Sequence, residues 1–154
     1  MKPVPKSRSP KRVEALTAQL DEYMREHKLR STNQRKLVAE TFLSSDGHLT
    51  LDEVHALARQ KDTSVGYITV YRAVKLLTDA GVAHVRHFSD GVTRYEVADA
   101  EHHDHLICLE CGLILEFEDD VVEDRQDMIA KAHRFELVRH THELYGRCKS
   151  CRES

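Results

Sequence analysis

The chain has 154 residues, 40% hydrophobic and 32% charged, with a net charge of −3. No apolar run approaches the roughly 18–20 residues that span a bilayer, and no apolar stretch follows the basic N-terminus as in a secretory signal, so a cytoplasmic protein is expected. The small net charge hides a split: residues 1–98 carry 16 Lys+Arg against 12 Asp+Glu, and residues 99–154 carry 7 against 14. Unless that asymmetry is chance, one part faces a polyanion and the other does something else.

Residues 1–12, "MKPVPKSRSPKR", hold all three prolines and five basic residues and read as a flexible basic tail. Val13, Leu16, Leu20 and Tyr23 then recur at helical spacing. Ser31 or Thr32 can cap a second helix that buries Leu37, Val38, Thr41 and Phe42. "TLDE" (Thr50 to Glu53) is a capping box that opens a third helix with Leu51, Val54 and Leu57 inward. Gly66 precedes a fourth, whose inward stripe is Tyr67, Val70, Val74 and Leu77, with Gly81 as its C-terminal cap. "VAHVRHF" and "VTRYEV", joined through Asp90-Gly91, form a hairpin. Helices followed by a hairpin are the order of a winged helix-turn-helix. "ADAE" is a polar link, and it sets an expected boundary near residue 99. The second half reads strand, turn, strand, helix, strand, turn. "HLIC" and "LILEF" are the first two strands, "DDVVEDRQDMIAKAH" is a helix with Val122, Met128, Ile129 and Ala132 on one side, and "RFELVRHTHELYG" alternates like one long strand. The fold class expected is α+β, a winged helix-turn-helix domain over 13–98 followed by a small α/β domain over 99–154.

All four cysteines fall in the second half, as Cys108-Leu-Glu-Cys111 and Cys148-Lys-Ser-Cys151. Each CxxC turn presents two sulfurs on one side of a tight knuckle. Four thiolates satisfy a tetrahedral Zn²⁺ and leave no open position, so such a site serves folding rather than chemistry. Redox pairs or idle thiols are the bland reading. "EHHDHLICLECG" also holds His102, His103, Asp104 and His105. In an extended chain alternate residues share a face. His103 and His105 therefore point one way and His102 and Asp104 the other, which suggests two sites. Glu116, His140 and His142 add further donors. No HExxH, no GxSxG and no phosphate-cradling glycine loop is present, although a metal hydrolase built on the histidine run, or a metal-buffering protein, stays open.

"GYITVYRAVKLLTDAG", "HHDHLICLECG" and "YGRC" together closely resemble the ferric uptake regulator family of metal-dependent repressors, over residues 13–151. The resemblance implies a winged-helix DNA-binding domain, a dimerisation domain, and a homodimer on palindromic double-stranded DNA, with no enzymatic activity, no small-molecule substrate and no membrane. It implies a structural zinc on Cys108, Cys111, Cys148 and Cys151. It implies a sensory metal site of His48, Glu96, His103, His105 and Glu116, and an additional site of His102, Asp104, Glu123 and His140. Three imidazoles and two carboxylates suit Fe²⁺, Mn²⁺, Co²⁺ or Zn²⁺, and ligand type alone does not select among them. Glu116, where peroxide-sensing members typically have Asp, favours the iron-responsive type over a peroxide sensor or a zinc- or manganese-responsive regulator. Glu101 departs from the pattern, since many members have a further His there. For DNA, the fourth helix is expected in the major groove, with Thr69, Tyr71 and Arg72 at its start, unless Tyr71 packs in the core. Arg30 matches a basic position near the minor groove. Lys2, Lys6, Arg8, Lys11 and Arg12 are expected to add phosphate contacts.

Overall fold

In the computed structural model, which describes residues 2–3, 9–98 and 102–153, the elements run β1 (Lys2–Pro3), α1 (Pro10–Glu26), α2 (Asn33–Leu43), α3 (Leu51–Lys61), α4 (Tyr67–Asp79), β2 (Ala83–His87), β3 (Thr93–Val97), β4 (Asp104–Cys108), β5 (Ile114–Glu118), α5 (Asp120–Ala132), β6 (Glu143–Gly146) and α6 (Lys149–Arg152). They form two units, Lys6–Asp99 and Ala100–Ser154, the latter joined by Met1–Pro5. Among the described residues no helix is long and apolar enough to cross a membrane.

Local chemistry sets the helix starts of the N-terminal unit. The Ser9 side chain accepts from Arg12 N, with Pro10 in the first turn, where its missing N–H costs nothing. Thr32 caps α2 through Arg35 N. Thr50 and Glu53 complete the capping box of α3: Glu53 N donates to the Thr50 hydroxyl at 3.2 Å, and Thr50 N to Glu53 Oε2 at 2.7 Å. At the end of α4, Gly81 adopts φ +68°, the left-handed conformation that costs glycine least. Val82 N then reaches Leu77 O at 2.8 Å and Gly81 N reaches Thr78 O at 3.0 Å, which satisfies carbonyls the helix leaves open. Thr50→Ala removes one such cap, and we expect a loss of about 1 kcal/mol, read as a lowered urea midpoint.

The core of this unit gathers Leu16, Leu20 and Met24 of α1, Val38 and Phe42 of α2, Val54 and Ala58 of α3, and Val70, Ala73, Val74 and Leu77 of α4. Tyr67 departs from expectation. It is exposed, and Ala73 and Leu76 take the inward positions. The buried face of α4 starts at Val70, so the first turn lies outside it. Val13, Tyr23, Leu37 and Leu51 pack partly buried against the core's edge. β2 and β3 pair antiparallel, from Ala83↔Val97 to His87↔Thr93. Gly91 turns their connection at φ +75°.

Part of the expected tail is structured. Lys11 and Arg12 lie in α1, and Arg12 Nη2 donates to Ala98 O at 3.2 Å. The cap at Ser9 and the fixed φ of Pro10 start the helix before Val13. Lys2 and Pro3 pair with Glu118 and Phe117. Lys6, Arg8 and Glu101 lie outside the described residues.

The C-terminal unit is a four-stranded sheet in the order β1-β5-β4-β6. β4 runs antiparallel to β5 and parallel to β6. Asp119 caps α5, accepting from Val121 N and Val122 N. One expectation fails here. "RFELVRHTHELYG" is a strand only over Glu143–Gly146, because β4 is five residues long and pairs with β6 from His105↔Glu143 to Cys108↔Gly146. Alternation makes a strand only where a neighbour takes its hydrogen bonds. Among the described residues α5 has none buried, and Met128 and Ile129, on the apolar side read from the sequence, are exposed.

Candidate metal centres and candidate nucleic-acid interface

The turn after β4 builds the sulfur cluster. Gly112 N donates to Cys108 O at 3.0 Å and Leu109 N to Gly146 O at 2.8 Å, which ties the first knuckle to the end of β6. Gly112 takes φ +72°, as a knuckle closing on itself requires. Cys108, Cys111, Cys148 and Cys151 then bring four sulfurs within 4.8 Å of one another. All four are free thiols. Backbone N–H groups of Cys111, Cys148 and Glu110 pull the Cys108 thiol down to about 6, and Cys148 N lies 3.3 Å from its sulfur. The Cys151 thiol is pushed up, first by Cys148 and then by Cys111. One thiolate is favoured while a second is resisted by the sulfurs around it. A divalent cation removes that conflict, and four sulfurs in a closed cluster suit Zn²⁺.

The second cluster uses the face of β4 that holds Asp104. His102 Nε2 and His140 Nε2 are 2.7 Å apart. At this distance one imidazole donates its Nε2–H and the other accepts it. Asp104 Oδ1 lies 3.1 Å from His102 Nε2. Glu123 Oε1 lies 3.3 Å from both imidazole nitrogens, yet it is buried and accepts no hydrogen bond. A buried carboxylate oxygen without a donor costs free energy, and a cation among these four groups satisfies it.

The expected sensory donors fall in two groups, one in each unit. In the N-terminal unit, Leu49 and Tyr95 form an antiparallel bridge, with N–H···O distances of 2.9 and 2.7 Å. The bridge sets the preceding His48 beside Glu96, with His48 Nε2 at 2.6 Å from Glu96 Oε2. Glu96 is 3% exposed, and Arg86 Nε donates to its other oxygen at 2.6 Å. In the C-terminal unit, the His103 and His105 rings are 5.0 Å apart. Glu116 is the cross-strand partner of His105, on the same sheet face. Each group joins imidazole and carboxylate, the mixed set that divalent transition metals accept.

On α4, Tyr71 is 46% exposed, so it does not pack in the core. Arg72 is exposed and Thr69 half-buried, and Arg30 is exposed ahead of α2. Ile68, 61% exposed, shares the face of Tyr71 and Arg72 at i+3 and i+4. An apolar side chain there can meet thymine methyls.

The family model described as "Ferric uptake regulator family" matches residues 26–145. This chain belongs to the ferric uptake regulator family. A ferric uptake regulation protein of Rhizobium leguminosarum bv. viciae is 41% identical over 127 residues, 82% of this chain and 89% of its own length. The ferric uptake regulator of Helicobacter pylori, whose structure is described as revealing three functional metal binding sites, superposes with a TM-score of 0.86 at 32% identity, over 98% of this chain and 99% of that one. A zinc uptake regulator complexed with zinc and DNA matches at a TM-score of 0.51 and 26% identity, over 95% of this chain and 97% of that one.

Membership makes the chain a metal-responsive, DNA-binding transcriptional regulator and not an enzyme. Its fold is the family's, a winged helix-turn-helix domain followed by an α/β dimerisation domain. Sequence reasoning passed over Arg86 and Ile68, and did not pair His142 with Asp104, which it faces at 3.2 Å. For Ile68 the signal was available, three and four positions before Tyr71 and Arg72. Arg86 and His142 are recognised only by what they touch.

Proposed function

We propose that this protein is an iron-responsive cytoplasmic repressor that binds palindromic operators as a homodimer. The observation that carries the reading is the pairing of imidazole with carboxylate in both units: His48 with Glu96 on the winged-helix side, and His103 and His105 with Glu116 on the other. We assign these five residues to one regulatory cation, Fe²⁺ by preference, with Mn²⁺, Co²⁺ or Zn²⁺ as substitutes. When bound, that cation supplies positive charge to both carboxylates and one coordination sphere for ligands drawn from both domains. Glu96 is held for this by the Leu49–Tyr95 bridge and by Arg86, and Glu116 by its register opposite His105. Ligands from both domains make the cation select among arrangements of the two, and an arrangement that matches operator spacing binds DNA better. Cys108, Cys111, Cys148 and Cys151 hold structural zinc, and His102, Asp104, Glu123 and His140 hold an additional cation.

The homodimer reading rests on apolar side chains of the C-terminal unit. Phe135, Val138 at 90% exposure, Val121, Met128 and Ile129 are open to solvent. Exposed apolar surface of this kind marks an association site. Sedimentation equilibrium giving the dimer mass supports it, and a monomer at micromolar concentration refutes it.

The α4 reading makes a separate prediction. Arg72→Ala weakens operator binding about tenfold, roughly 1.4 kcal/mol, without changing the metal concentration at half-maximal binding. Gel shifts across a metal series measure both quantities. An unchanged operator affinity removes Arg72 from the interface.

A further inference from the structure

Asp104 is 1% exposed, and its two oxygens have different partners. Oδ1 faces His102 Nε2 at 3.1 Å, while Oδ2 faces His142 Nδ1 at 3.2 Å. His142 is itself fixed twice. Its carbonyl accepts from His105 N at 3.1 Å, and its ring meets Phe117 edge-on, with centroids 5.9 Å apart. Phe117 is the cross-strand partner of Asp104, so carboxylate and imidazole share one face of the sheet. The donor atoms that lie within 4.8 Å of one another come from His102, Asp104, Glu123 and His140. His142 stands behind them, on the far oxygen of Asp104.

A buried carboxylate can turn either oxygen toward a cation, and its ligand strength depends on what holds the other. We propose that His142 is a positioning residue for the additional cation site: its Nδ1–H donates to Asp104 Oδ2 and so presents Oδ1 to the cation. The proposal rests on reading His102, Asp104, Glu123 and His140 as a cation site. The proton sits on Nδ1 because Oδ2 of a carboxylate is an acceptor only. The same hydrogen bond compensates the burial of Asp104 in the metal-free protein.

The test uses the full chain with the four-cysteine site filled by zinc and the sensory set disabled by Glu96→Ala. Co²⁺ is titrated in competition with a chromophoric chelator, and its visible d–d absorption is followed. The parent binds one Co²⁺. His142→Ala weakens that binding about 10–100-fold and shifts the absorption. His142→Asn, whose side-chain amide offers a donor near the position of Nδ1, restores most of both. A purely structural role would lower the melting temperature of His142→Ala and leave the Co²⁺ spectrum as it was. Unchanged Co²⁺ affinity in His142→Ala, or an asparagine variant no better than alanine, overturns the proposal. A parent that takes up no Co²⁺ refutes the four-residue site itself, and the role of His142 falls with it.

Discussion

Cys108→Ser is expected to yield a protein without zinc whose C-terminal unit does not fold. The buried side chains among the described residues of that unit are Asp104, His105, Ile107, Cys108 and Phe117. Three of these, Asp104, His105 and Cys108, carry ionisable groups, so burial of apolar surface contributes little. The sulfur cluster closes the turn after β4 against the end of β6, through Leu109 N to Gly146 O and Cys148 N to Cys108 Sγ. Structural zinc contributes on the order of 10–16 kcal/mol to folding in small zinc-finger peptides, against about 5–15 kcal/mol for the stability of a whole domain. Removing one thiolate, or the metal by chelation, therefore exceeds what the rest of the unit can offset. Metal analysis and a circular-dichroism melt check it. A zinc-free variant with an unaltered melt contradicts it.

The second large effect is functional. His48→Ala is expected to retain zinc and fold while losing the metal dependence of DNA binding, a coupling of about 100-fold at the upper end of the usual range. The Leu49–Tyr95 bridge remains, because it is made by backbone. What is lost is the Nε2 that stands 2.6 Å from Glu96. Operator titration with and without metal, alongside a melt of each sample, separates this from unfolding. Metal dependence equal to wild type removes His48 from the sensory set.

Local features were legible in the sequence because local chemistry makes them. The Thr50–Glu53 box, the glycine after α4 and the Asp90-Gly91 turn each rest on residues at most a few positions apart, and each appears as read. Parity along "HHDH" pairs His103 with His105 and His102 with Asp104; the rings of the first pair meet, and the second pair hydrogen-bond each other. What failed depends on neighbours distant in the chain. Residues 135–142 alternate like a strand, but β4 offers β6 a partner only from Glu143 onward. α5 carries an apolar stripe that nothing among the described residues buries. Tyr67 belongs by spacing to the stripe of α4, yet that helix enters the core only at Val70. His142 was one of several unassigned donors until its contact with Asp104 gave it a place.

In the proposed function, metal held by histidines and carboxylates controls DNA binding. Anaerobic titration of operator DNA with the full-length protein, its four-cysteine site filled, is the direct test, with Fe²⁺, Mn²⁺ and Zn²⁺ added separately and DNA affinity read by fluorescence anisotropy. Affinity should rise steeply with Fe²⁺, less effectively or at higher concentration with the other metals, and should not rise in His48→Ala. Wild-type affinity that is the same with and without added metal would show that metal does not control DNA binding.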